Sequence, residues 1–289
     1  VKAPAFDYAK PRTLSEAFDL LERHGDEAKL LAGGQTLMAT LNMRLSQPEI
    51  LIDITGLAGE AALSGIRSEN GVVSVGALTR HREIERSSVI AAQVPMLAQA
   101  VPHIAHIAIR NVGTFGGSMA FADPAAEYPV CAVALDANLI LVSRQGERRV
   151  SARQFFKALY ETALKPGELV ARGEFPAKKP GYRSVFMELA RRHGDYAIVG
   201  VAAHAKVTGG VLSDVNLAYL GMGGIPMLAR NAMAELEGKA YALETVGAAQ
   251  RALAGELDPS ADLYSSAATK LHLARVLTGR ALAALVEGA

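Results

Sequence analysis

Over residues 13–25 the chain reads TLSEAFDLLERHG, with Leu14, Ala17, Phe18 and Leu21 apolar at helical spacing. Thr13 is the expected N-cap, Glu16 follows three residues on, and Gly25 is the stop. The short apolar runs AKLLA (28–32) and EILIDI (49–54) predict buried strands on either side of a helix over 36–44. Two adjacent glycines, Gly33 and Gly34, stand between the first of these strands and that helix. LSGIRSENGVVSVGA predicts a hairpin about Asn70 and Gly71, and helices over 80–86 and 89–102 follow. The segment RNVGTFGGSMAFADPAAEYP (110–129) interrupts the regular pattern, before strands at NLILVS and RRVS. FPAKKPGY (175–182) breaks both periodicities and reads as a linker, which sets a domain boundary between 176 and 177. Beyond it two long strands turn about Thr208, Gly209 and Gly210, and three helical segments finish the chain, the last over 263–286.

Half of the 289 residues are hydrophobic, enough for a well-buried core split between two domains. Lys and Arg total 30 against 29 Asp and Glu, scattered along the chain, so no nucleic-acid groove or membrane-attracted patch is expected. No run approaches a membrane span and no signal-peptide core is seen, so a cytoplasmic location is expected. The single cysteine, Cys131, excludes an internal disulfide, a four-thiolate iron–sulfur cluster and a cysteine zinc site within this chain. His103 and His106 lie three apart with no third ligand in view, a spacing that favours packing or surface roles over a metal site.

Gly33 and Gly34 lack Cβ atoms, so the backbone there can take positive φ and a ligand can approach the amides closely. A following helix would aim its unpaired amides and its positive dipole end at the same turn, favouring a phosphate without any lysine, and Thr36 adds a hydroxyl. The same pair equally suits a tight turn made for packing. The pattern is neither GxGxxG nor GK[ST], which disfavours a nicotinamide Rossmann site or a P-loop. GTFGGS (113–118) then supplies three more glycines with the hydroxyls of Thr114 and Ser118. Two loops donating amides from opposite sides suit a pyrophosphate better than one, so the implied ligand is a dinucleotide.

AGGQT (32–36), IRNVGTFGGS (109–118), ADPAAEYP (122–129) and RRHGDYAIVGVAA (191–203) resemble the flavin-binding medium subunit of the molybdenum hydroxylases. That family includes carbon monoxide dehydrogenase, xanthine dehydrogenase and related aldehyde, nicotine and N-heterocycle dehydrogenases. The resemblance implies an α+β fold: a two-subdomain FAD-binding architecture of the vanillyl-alcohol-oxidase type over 1–176, split at about 56/57, and a small α+β C-terminal domain of the CO-dehydrogenase-flavoprotein kind over 177–289. It implies FAD in this chain, with Leu31, Ala32, Gly33, Gly34, Gln35, Thr36 and Leu37 around the diphosphate. Thr114, Phe115, Gly116, Gly117 and Ser118 would form the opposing loop, with Glu127 on the adenosine half and Val170 on the adenine side. Ile104 and Tyr196 would line the isoalloxazine. Thr36 stands where serine is frequent, Phe115 where a smaller aliphatic is common, and Met187 where xanthine dehydrogenases have a lysine.

By the same resemblance no side chain acts as acid, base or nucleophile. The molybdopterin cofactor and two [2Fe-2S] clusters would belong to a large and a small partner subunit, in a dimer of heterotrimers that passes electrons to an external acceptor. The single cysteine argues against the benzoyl-CoA reductase branch, whose equivalent subunit carries a cysteine-rich insertion. Two other readings compete. A self-sufficient flavin oxidase or dehydrogenase needs its own substrate domain, and a flavin-free docking scaffold leaves two glycine loops unexplained.

Overall fold

The computed structural model describes residues 2–288. Three larger sheets follow one another along the chain, and a two-stranded one, Phe156–Ala158 with Glu161–Thr162, is inserted within the span of the second. The first is parallel, with Ile50–Asp53 at its centre between Asp7–Ala9 and Ala28–Leu31. Helix Leu14–His24 covers it with Ala17, Phe18 and Leu21. Its N-cap is Thr13, whose hydroxyl accepts from the Glu16 amide at 3.2 Å, and Gly25 ends it at φ 51°. The Glu16 carboxylate reaches back to the amide of Arg12, not to that of Thr13.

The second sheet is antiparallel, in the order Ile66–Glu69, Val72–Gly76, Leu169–Pro176, Asn138–Ser143, Gly146–Ser151. The expected hairpin turns at Asn70 and Gly71, both at positive φ. The single helix expected over 89–102 is two, Ser88–Gln93 and Pro95–Ala100, because Pro95 has no amide to donate and takes a first-turn position instead. The segment 110–129 corrects the sequence reading further. About half of it is helical, in the end of Ile107–Arg110, in Phe115–Phe121 and in the start of Glu127–Ala134. The first two are at most about two turns long, and Tyr128 to Ala134 are all buried, so no amphipathic stripe announces a helix.

The expected linker narrows to 177–181, since Phe175 and Pro176 complete one strand and Tyr182 starts another. The third sheet runs Tyr182–Ala190, Ala197–Thr208, Val211–Leu220, Met227–Leu228, all antiparallel. Its two faces belong to different cores, as the period of two along a strand requires. Val185, Val199, Val201, Ala203, Leu217 and Tyr219 pack on helices Arg230–Leu236, Leu243–Ala252 and Ala267–Glu287. Phe186, Ala202, Ala218 and Leu220 join the core of the second sheet. The last helix starts at Ala267, capped by Ser266, a few residues after the expected position. No helix among the described residues is long and apolar enough to cross a membrane.

Candidate functional site

Leu31 ends the edge strand of the first sheet, Ala32 packs beside that sheet's core, and Leu37 opens helix Leu37–Asn42. Between them Gly34 lies at φ 68°, the left-handed conformation that favours glycine. Among the described residues, the amides of Gly33, Gly34, Gln35, Thr36 and Leu37 have no protein acceptor. Thr36 caps the helix without using its hydroxyl, and the side-chain Nε2 of Gln35 donates to the Gly33 carbonyl at 2.9 Å. Five consecutive free donors at a partly exposed turn suit a ligand with many acceptor oxygens, so these residues fit a diphosphate.

The second glycine segment lies directly against the first. A Cβ on Gly33 would sit 2.5 Å from the Val112 carbonyl and 2.7 Å from the Gly113 Cα, so the close approach at Gly33 is to the chain itself. Thr114 caps helix Phe115–Phe121, accepting from the Gly117 amide at 3.3 Å. Helical geometry then divides the loop. Phe115 and Gly116 face inward, with amides bound to the carbonyls of Thr79 (2.9 Å) and Ala77 (2.8 Å), and a Cβ on Gly116 would meet Ala77 at 2.4 Å. Gly117 is exposed and Ser118 half-buried, which leaves this pair and the first segment to line the outer surface.

Beneath the loop lies a polar cluster with no local sequence signal. The His81 ring is 5.3 Å from Tyr128, and Tyr128 is 5.3 Å from Phe115. Burial first, and Arg110 second, push His81 down to about 4, so it is neutral. Its Nδ1 and the Tyr128 hydroxyl are buried without a hydrogen-bond partner.

At the far end of helix Phe115–Phe121, about 10 Å along its axis, the surface turns aromatic. The Phe121 ring is 5.0 Å from Tyr160, which sits at φ 58° on the tip between Phe156–Ala158 and Glu161–Thr162. Tyr160 and Tyr196 are 53% and 74% exposed, and Asp123 acts electrostatically on both hydroxyls. Neither Phe121 nor Tyr160 was distinguishable in the sequence from ordinary packing aromatics.

Glu127 acts on Tyr196 as well, and lies close enough to Glu188 to raise its affinity for a proton. Glu127 is half-buried at the start of helix Glu127–Ala134. Burial pushes Glu127 up to about 7, with Asp123 adding to the effect, and pushes Glu188 up to about 8. One Glu188 oxygen is buried and unpartnered. Ile104 is buried at the turn before helix Ile107–Arg110, and Val170 is buried in the main core, paired with Leu141 in the sheet. Neither presents an open face comparable to that of Tyr196.

Residues 4–178 match the model of the FAD-binding domain in molybdopterin dehydrogenase, and residues 184–285 that of the CO dehydrogenase flavoprotein C-terminal domain. The chain is 37% identical to subunit alpha of the 6-hydroxypseudooxynicotine dehydrogenase complex of Paenarthrobacter nicotinovorans, over 98% of this chain and 95% of that protein. It is 34% identical to the carbon monoxide dehydrogenase medium chain of Hydrogenophaga pseudoflava, over 96% of each. Among solved structures, a chain of carbon monoxide dehydrogenase from Hydrogenophaga pseudoflava superposes with a TM-score of 0.95 at 35% identity, covering 99% of this chain and 98% of that one. A chain of quinoline 2-oxidoreductase from Pseudomonas putida 86 gives a TM-score of 0.92 at 35% identity, covering 100% and 99%. A glycine-lined donor cradle, an aromatic surface one short helix away and these full-length matches converge: the chain belongs to the family of FAD-binding medium subunits of molybdenum hydroxylases.

Proposed function

We propose that this FAD-binding subunit carries electrons from a [2Fe-2S] partner subunit to an external acceptor, within a complex whose large subunit holds the molybdenum cofactor. The observation that carries the reading is the pairing of five acceptor-free amides at Gly33–Leu37 with exposed aromatic rings at the other end of helix Phe115–Phe121. The amides, with Gly117 and Ser118, would hold the diphosphate, and Tyr196 with Tyr160 would flank the isoalloxazine. When bound, the flavin accepts electrons singly and releases them in pairs. The chain's own task is to bind and orient that group and to shield one of its faces. Its one cysteine, Cys131, is buried, so the thiolates of an iron–sulfur relay must come from other chains.

The test is stepwise reconstitution. The purified full chain should release FAD on acid precipitation, showing noncovalent attachment, and its flavin should be bleached by dithionite and recoloured by an artificial acceptor. An organic substrate of the complex should reduce this flavin only when both partner subunits are present. Turnover of a heterocycle, aldehyde or alcohol by the single chain at a comparable rate would replace this reading with that of a self-sufficient oxidase.

A further inference from the structure

Arg110 is a buried cation at the end of the one-turn helix Ile107–Arg110, just ahead of the second glycine segment, and is only 8% exposed. Its Nε lies 3.2 Å from a carboxylate oxygen of Glu85. Its Nη1 donates to the carbonyls of Ile104 and Ala105, each at 3.0 Å. A buried guanidinium whose donors are engaged holds its acceptors firmly, because any acceptor that moves away leaves an unsatisfied charged donor out of reach of water. Here the pinned residue is under strain. Ala105 sits at φ 42°, in the left-handed region that a side chain's Cβ disfavours.

The Ala105 carbonyl also touches the C-terminal domain, at Gly194. A Cβ on Gly194 would lie 2.7 Å from that oxygen and 3.0 Å from its carbon, and Gly194 itself lies at φ 86°. Beside this contact, His103 is 6.2 Å from the His193 ring and 5.4 Å from Phe186. Tyr196 follows Gly194 by two residues, at the start of strand Ala197–Thr208. Contacts therefore run from Glu85 through Arg110 and Ala105 to Gly194, and the chain itself carries them on to Tyr196, two residues later.

We propose that Arg110 is a positioning residue for Tyr196: by holding the Ile104–Ala105 turn through two carbonyls, it fixes the surface on which Gly194 rests and so sets the placement of the tyrosine ring against the flavin. This rests on the reading that Tyr196 lies beside the isoalloxazine. The consequence is optical. A phenol in contact with a flavin quenches its emission by donating an electron to the excited ring, so emission per bound FAD reports the ring's placement separately from how much FAD is bound.

The experiment uses the full FAD-loaded chain, freed of unbound flavin, with FAD stoichiometry measured on each sample. Tyr196→Ala sets the scale and should raise the emission per bound flavin. Arg110→Met should reproduce most of that rise at full FAD occupancy, and Arg110→Lys, which keeps a cation for Glu85 without the planar fork, should fall between it and the parent. Adding Arg110→Met to Tyr196→Ala should change emission no further. Should Arg110→Met fail to fold, Gly194→Ala, which leaves the clamp intact and displaces the seated loop, carries the same expectation. A Tyr196→Ala chain that brightens while Arg110→Lys and Gly194→Ala match the parent would overturn the positioning role alone. No change with Tyr196→Ala would overturn the placement of the tyrosine, and the proposal with it.

Discussion

The glycines of the two segments look alike in sequence and do three different things. Gly34 supplies a left-handed backbone, Gly33 and Gly116 allow two stretches of the chain to touch, and Gly117 leaves an outer surface open. Gly33→Ala should therefore lower FAD occupancy at least about tenfold, since the new methyl meets backbone at 2.5 Å and must part the two segments. Gly117→Ala, whose methyl meets only the Thr114 hydroxyl at 3.0 Å, should leave the fold intact. Flavin absorbance and circular dichroism on the same samples separate the two outcomes. A buried carboxyl allows a second prediction. Glu188 binds its proton more tightly in the folded chain, at about 8 against an ordinary 4.5, through burial and then Glu127. The stability this gives is complete below 4.5 and is lost as pH rises towards about 8. Glu188→Gln should flatten the fall in melting temperature across that window by on the order of a few degrees. His81, held down at about 4, acts in the opposite sense as pH falls from 6.5, so the difference between variant and parent is the quantity to measure.

Among the elements, helix Phe115–Phe121 does most to organise the site. It is seven residues long, too short to persist alone, and is held by its cap, by the carbonyls of Thr79 and Ala77, and by Phe115 against Tyr128 and Phe175. Thr114→Ala removes a buried cap and should cost about 1 kcal/mol in urea unfolding, with weaker FAD binding as the helix start loosens. Strand Leu169–Pro176 shows why some elements escape a reading of the sequence. It is the central strand of its sheet, yet LVARGEFP carries Arg172 and Glu174 in its middle. Those charges are tolerated because Arg172 pairs with Glu147 at 2.8 Å and Glu174 with Arg149 at 2.6 Å, both contributed by the strand at the sheet's edge. Nothing local to 169–176 reveals those partners.

For the whole molecule, the third sheet is the decisive component. Its alternating residues face two cores, so the N-terminal and C-terminal parts share buried surface and do not merely adjoin. Phe186, 5% exposed, projects into the core of the second sheet, and Phe186→Ala should destabilise the chain by about 3–5 kcal/mol, measured by chemical denaturation. A fragment ending at 178 should expose the apolar surface that Phe186, Ala202, Ala218 and Leu220 cover, and should bind a hydrophobic dye or aggregate where the full chain does neither.

What the sequence determined by itself is whatever depends on neighbours along the chain. The helix from Leu14 with its Thr13 cap, the turns at Asn70–Gly71 and Gly209–Gly210, and the acceptor-free amides after Gly33 all follow from local spacing and from glycine's tolerance of positive φ. The paired glycine motifs also sufficed to indicate a dinucleotide and, through resemblance, the family. Tertiary structure alone decided which glycines touch another stretch of the chain and which stay exposed, that Phe121 meets Tyr160, and that His81 and Arg110 lie buried next to the second glycine segment. Each of those depends on contacts between segments far apart in the chain. Burial, the direction of a proton shift and the partner of a buried charge are properties of such contacts, and a linear pattern of residues does not contain them.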